Sequence, residues 1–258
     1  MSPGVGGNRA AVVFEARGTA APEKSLQTMN IKLFTVPNIL TLCNLLSGCV
    51  AAVIALTGGD LRWAFACVVL AALFDFFDGF AARLLRSSSP IGKELDSLAD
   101  MVSFGFAPSA VLFAVYALCG GADAPWRFAV FVLAAFSALR LAKFNIDENQ
   151  TKEFIGLPTP ACALFFTSCG YLVQDGRLAA APGAILAVTL LFSLLLVCNV
   201  PMFALKFSHY RFAGNEIRYL FVAASLVALA VWGVAAVPFI FVAYIAVSVV
   251  RHVAFRRK

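Results

Sequence analysis

Charge is scarce in this chain: Asp, Glu, Lys and Arg make up 13% of its 258 residues, against 61% apolar. Soluble domains average about 25% charged and 45–50% apolar residues, so a water-soluble globule is excluded. Histidine is rarer still. His209 and His252 stand alone, without a partnered Ser or Cys, which argues against a His-activated nucleophile. The seven cysteines (Cys43, Cys49, Cys67, Cys119, Cys162, Cys169, Cys198) are dispersed and lack CxxC spacing. They form neither a disulfide frame nor a zinc site and read as small apolar side chains. There is no glycine-rich P-loop run, no strand alternation, and no basic stripe with interleaved aromatics, so nucleic acid is not an expected partner. Residues 1–30 lack the apolar core segment of a cleavable signal peptide and read as a disordered cytoplasmic tail.

What the chain does have is length without charge. Uncharged runs cover 33–59, 101–122, 154–174, 178–205 and 219–250, and the mean hydropathy is +0.88. A helix needs about 20 apolar residues to cross a bilayer core of roughly 30 Å. The expected fold class is therefore all-α, a polytopic membrane protein of about eight spans. These fall near 37–57, 61–85, 91–119, 125–145, 157–174, 179–200, 217–233 and 236–253. The last two are split because one helix over 219–250 would be about 48 Å long, and Gly233 and Pro238 offer a turn within it. The expected organisation is a tail (1–30), a membrane core (31–205), and a C-terminal transmembrane hairpin with a basic tail (206–258). With the termini on one face, that face carries seventeen of the 20 Lys and Arg, and the other keeps only Arg62, Arg127 and Arg177. The positive-inside rule then puts both termini in the cytoplasm.

Four carboxylates stand where an apolar span should exclude them. Asp75 and Asp78 are i,i+3 near the end of the second span; Asp96 and Asp100 are i,i+4 at the start of the third. Each pair shares a helix face. Between them, Ser87 to Ser89 followed by Pro90 form an N-cap signal, and so short a turn makes the two helices antiparallel neighbours. Ionised carboxylates at membrane depth are costly unless paired, solvated or metal-bound. Four converging acids with hard oxygen ligands suit Mg²⁺ or Mn²⁺. Gly79 and Ala82 leave room on the acidic stripe for a bulky polyanion, and Arg83 and Lys93 stand at the cytoplasmic edge to hold phosphate oxygens. Together these features suggest a diphosphate substrate.

The full run Asp75-x2-Asp78-Gly79-x2-Ala82-Arg83-x8-Gly92-x3-Asp96-x3-Asp100 resembles the signature of the CDP-alcohol phosphatidyltransferase family at every position. The resemblance covers about the first six spans. It implies a six-helix membrane core and an enzyme that moves a phosphatidyl group from a CDP-linked lipid to an alcohol, releasing CMP. It implies two divalent ions on Asp75, Asp78, Asp96 and Asp100, with Asp96 and Asp100 catalytic and Asp100 also the base. Gly79, Ala82 and Arg83 would line the CDP site with Asp78 and Lys93. Homodimers are usual in the family.

Further stretches are similar to the branch that uses L-serine with CDP-diacylglycerol. These are Val36-Pro-Asn-Ile-Leu-Thr41 with Asn44, the run from Gly92 to Pro108, Arg140-Leu-Ala-Lys-Phe-Asn145, and Phe154-Ile-Gly-Leu-Pro-Thr-Pro-Ala161. This implies a bacterial inner-membrane enzyme of phospholipid synthesis with a cytoplasmic site. Asn38 and Thr41, one turn apart, touch the nucleotide or bond a neighbouring helix; the resemblance favours the nucleotide. Arg140, Lys143 and Asn145 are the acceptor-binding candidates, with the two cations binding serine's carboxylate or serving only as positive-inside anchors. Lys143 stands where that branch commonly has Arg, so the charge is kept without the planar fork. Ser97 and Ser103 line the pocket or cap carbonyls. Three rival readings fit the same acids: another acceptor such as glycerol phosphate or inositol, an intramembrane prenyltransferase, and a divalent-cation carrier.

Overall fold

The computed structural model describes residues 33–87, 89–146, 156–200, 202 and 216–255. The expected tail, Lys152, the connection bearing Lys206, His209 and Arg211, and the last three basic residues lie outside them. All regular structure among the described residues is helical. The helices are α1 (Val36–Leu56), α2 (Leu61–Leu84), α3 (Pro90–Gly121), α4 (Pro125–Ile146), α5 (Thr159–Gln174), α6 (Pro182–Val197), α7 (Glu216–Trp232) and α8 (Ala236–Phe255).

Local chemistry sets the helix starts. Thr35, Asp60 and Ser89 cap α1, α2 and α3, their side chains accepting the amides of Asn38, Arg62 and Gly92. The turn between α2 and α3 closes through Ser87 N donating to Ala82 O, with Arg86 at φ +49°. That is a left-handed C-terminal closure, held here by a residue other than glycine.

The core is a set of seams at alternating spacings of three and four. On α2, Leu61, Ala64, Val68 and Ala71 are buried, and the same stripe continues through half-buried Asp75 to buried Asp78. On α1 the facing stripe is Pro37, Thr41, Asn44, Gly48, Ala51 and Ala55, all buried. Lipid provides no hydrophobic drive for helix association, so close van der Waals packing of such small residues must supply it. A Cβ on Gly48 would lie 2.5 Å from Ser103 Cα, which shows how closely α1 and α3 approach. Just below Asp100, α3 widens into a π-helical turn over Met101–Phe106. Pro108 offers no amide to the carbonyl of Phe104, and the ladder loosens there.

Among the described residues, five stretches qualify by length and composition to cross a membrane: α1, α2, α3, α4 and 218–250. The eight expected segments all appear as helices, but α5 and α6 have 16 residues each, about 24 Å long. For α5 the reason is proline chemistry, because an earlier start would put Pro158 and Pro160 inside the helix. Non-helical chain leads into α5, with Gly156 at φ +81° and with Gly156 N and Leu157 N donating to Val200 O and Leu195 O at 3.0 Å each. Non-helical backbone in a membrane protein is tolerated where protein groups satisfy it in this way. The stretch 218–250 bends at Gly233 (φ +57°), and the Phe221 and Tyr244 rings meet at 6.2 Å, so α7 and α8 run antiparallel.

Candidate active site

The turn at 85–89 sets the end of α2 beside the start of α3. Asp75, Asp78 and Asp96 each present a carboxylate oxygen within 4.8 Å of the others. Asp75 and Asp96 lie within hydrogen-bonding reach of each other. Asp100, one turn deeper on α3 and buried, stands outside this tight trio but close enough to Asp75 and Asp96 for direct repulsion. The pairing expected from the i,i+3 and i,i+4 spacings is therefore present, as three gathered oxygens with a fourth acid behind them.

Helix α1 holds two of the acids in place. Thr41 Oγ1 donates to Asp78 Oδ2 at 2.6 Å, and Asn44 Nδ2 donates to Asp100 Oδ1 at 3.2 Å. Asn38 instead turns to its own helix entrance, donating through Nδ2 to Leu33 O at 2.8 Å. Ser103 caps a carbonyl, that of Asn44, at 2.9 Å. Among the described residues no Lys or Arg nitrogen comes within 4.0 Å of the four carboxylates. Asp96 Oδ1 is buried and receives no hydrogen bond.

This arrangement fits a divalent cation. The donors are hard oxygens, one of them a buried atom without a partner, and neighbouring carboxylates repel unless positive charge lies between them. Gly79 faces open space, with nothing within 4 Å of where a Cβ would stand, which agrees with the room expected on the acidic stripe. Arg83 and Lys93 are exposed at this end of the helices.

The acceptor candidates separate. Arg140 on α4 is half-buried, attracted by Asp75 and Asp100, and steadied by donating from Nη1 to Thr159 Oγ1 at 2.9 Å. Lys143 Nζ is turned to Asn199 Oδ1 at 2.8 Å, beyond the end of α6. Asn145 clasps α3, its Nδ2 donating to Ser97 Oγ at 2.8 Å while its carbonyl accepts from Lys93 Nζ at 3.1 Å. Sequence reasoning assigned no role to Asn44, Thr159 or Asn199. Thr159 follows the Pro158 that starts α5, which was a visible cue; Asn199 carried none.

The profile of the CDP-alcohol phosphatidyltransferase family matches residues 34–199, most of the chain, and the chain belongs to that family. It is similar to the CDP-diacylglycerol–serine O-phosphatidyltransferase of Helicobacter pylori, 36% identical over 141 residues, which cover 53% of this chain and 57% of that relative. It is also similar to proteins of the same name from Methanocaldococcus jannaschii and Mycobacterium tuberculosis. The first is 31% identical over 196 residues, covering 70% of this chain and 81% of the relative. The second is 30% identical over 236 residues, covering 87% and 79%.

Proposed function

We propose that this protein transfers the phosphatidyl group of CDP-diacylglycerol to the hydroxyl of L-serine, giving phosphatidylserine and CMP. The new bond joins serine's oxygen to the phosphatidyl phosphorus, the bond from that phosphorus to the CMP oxygen breaks, and the serine proton passes to Asp100. The observation that carries this reading is the trio Asp75, Asp78 and Asp96, with its unpartnered buried oxygen, beside an Asp100 held by Asn44. The names of the relatives support serine as the acceptor.

Two divalent ions, Mg²⁺ or Mn²⁺, held by Asp75, Asp78, Asp96 and Asp100, would neutralise the diphosphate and stabilise charge on departing CMP. A serine hydroxyl is a poor nucleophile, and Asp100 takes its proton during attack. Thr41 holds Asp78 in orientation, while Asn38, Gly79, Ala82, Arg83 and Lys93 form the nucleotide end of the site. Arg140, fixed by Thr159, faces the acidic cluster and takes the acceptor's carboxylate; Lys143, engaged with Asn199, and Asn145, engaged with Ser97, are the outer acceptor-binding candidates on the same helix. The site faces the cytoplasm of a bacterial inner membrane, as the Lys and Arg asymmetry supports, and the working unit is a homodimer.

The test offers purified protein CDP-diacylglycerol with serine, glycerol phosphate or inositol and reads CMP release. Serine turnover that stops with chelator and returns with Mg²⁺ or Mn²⁺ is expected. Turnover with another alcohol only, or lipid-independent ion flux in proteoliposomes, overturns the reading.

A further inference from the structure

Two buried side-chain acceptors near the acidic cluster receive no hydrogen bond: Asp96 Oδ1 and Asn44 Oδ1. The first is an anionic oxygen among other carboxylates and suits a metal ion. The second is a neutral amide oxygen on a fully buried residue, and a buried acceptor without a donor destabilises the fold that holds it.

Its orientation is not free. Nδ2 of the same amide donates to Asp100 Oδ1, and the reversed amide would set a carbonyl oxygen against a carboxylate. Nor is the residue free to withdraw. Its backbone carbonyl accepts from Ser103 Oγ at 2.9 Å, and Gly48, one turn along α1, packs against Ser103. Asn44 therefore holds a buried, unpaired carbonyl oxygen one amide group away from Asp100, the acid proposed above to receive the acceptor's proton.

We infer that Asn44 recognises the acceptor's ammonium group through Oδ1 while its Nδ2 aims Asp100, an inference that rests on the serine reading above. A general base must lie within hydrogen-bond reach of the hydroxyl it deprotonates. In serine the ammonium is carried on the carbon next to the one bearing that hydroxyl. A residue bonded to the base is thus placed beside the ammonium, and a carbonyl oxygen is the partner an N–H donor requires. The ligand class is a β-hydroxy amine, with Arg140 adding preference for one that also carries a carboxylate. Asn44 is in this sense both a positioning residue for Asp100 and a specificity-determining one.

The experiment uses full-length protein with CDP-diacylglycerol and Mg²⁺. It compares the KM for L-serine with the inhibition constant of 3-hydroxypropanoate, which is serine without its ammonium. In Asn44→Leu, the preference for serine over this analogue is expected to fall about tenfold to a hundredfold, the scale of one lost hydrogen bond to a charged group. kcat is expected to fall as well, and binding of labelled CDP-diacylglycerol to persist. If Asn44→Leu does not bind the lipid, Asn44→Ala, which only removes atoms, supplies the same comparison. An unchanged preference in a variant that binds the lipid overturns the inference, even when kcat falls. Wild-type protein that does not use serine at all overturns the serine reading instead.

Discussion

The hydroxyl of Thr41 on α1 reaches across to Asp78 Oδ2 on α2 at 2.6 Å, so a carboxylate of the acidic trio is oriented by a helix that contributes no acid of its own. Groups that orient metal-binding carboxylates commonly alter metal affinity by about ten- to a hundredfold when removed. Thr41→Val is expected to raise the Mg²⁺ concentration needed for half-maximal activity by that factor, and Thr41→Ser to restore it. A metal titration of CMP release measures both; equal metal dependence in all three proteins would contradict the role.

Removing acid should separate stability from activity. Without cations the gathered carboxylates repel, so Asp96→Asn is expected to melt at or above the wild-type temperature in chelator. Added Mg²⁺ should stabilise the wild type by about 2.7 kcal/mol at a hundredfold excess over its dissociation constant. That gain should be lost in Asp96→Asn together with turnover. Thermal unfolding in matched detergent gives the comparison.

Asp100 carries a different expectation, because it stands outside the trio. Asp100→Asn should abolish turnover while binding of CDP-diacylglycerol partly survives. Equal loss of both would argue against a base and for a purely metal-holding role. Equilibrium binding with labelled lipid, run beside the CMP assay, distinguishes the two.

Two glycines on facing helices should respond in opposite ways. Gly48→Ala would drive a Cβ to 2.5 Å from Ser103 Cα, forcing α1 from α3 at a cost of about 1–3 kcal/mol and moving Asn44 off Asp100. A Cβ at Gly79 meets nothing within 4 Å, so the fold should tolerate Gly79→Leu. Its side chain would fill the space proposed above for the diphosphate, and the expected result is a raised KM for CDP-diacylglycerol at unchanged melting temperature.

The two cations proposed for the acceptor should also part company. Arg140 faces the acids from its Thr159 tether, whereas Lys143 is engaged with Asn199. Arg140→Gln is expected to raise the serine KM by tenfold or more and Lys143→Gln by only a few-fold, as steady-state kinetics with varied serine would record. The reverse order would assign the acceptor's carboxylate to Lys143.

Much of this site was legible before any coordinates. The i,i+3 spacing of Asp75 and Asp78 and the i,i+4 spacing of Asp96 and Asp100 put each pair on one helix face from sequence alone, whereas the buried seam 61, 64, 68, 71 that runs into the first pair emerged only with the packing. The Ser-rich turn and Pro90 likewise mark the start of α3, where Ser89 does cap the helix. The expected eight spans were less secure, because hydropathy measures only apolar length. It does not register that prolines shorten α5 or that non-helical chain can be satisfied against the end of α6.

Composition, helical period and the spacing of four aspartates were enough to determine a membrane-embedded helical bundle with converging carboxylates, because those properties are local to each helix. Which polar residue of α1 meets which acid, that Arg140 faces the cluster while Lys143 turns away, and that one amide oxygen is left without a donor were decided only by tertiary packing. Such contacts join residues 19 to 56 positions apart, and their geometry depends on how closely small side chains let the helices approach.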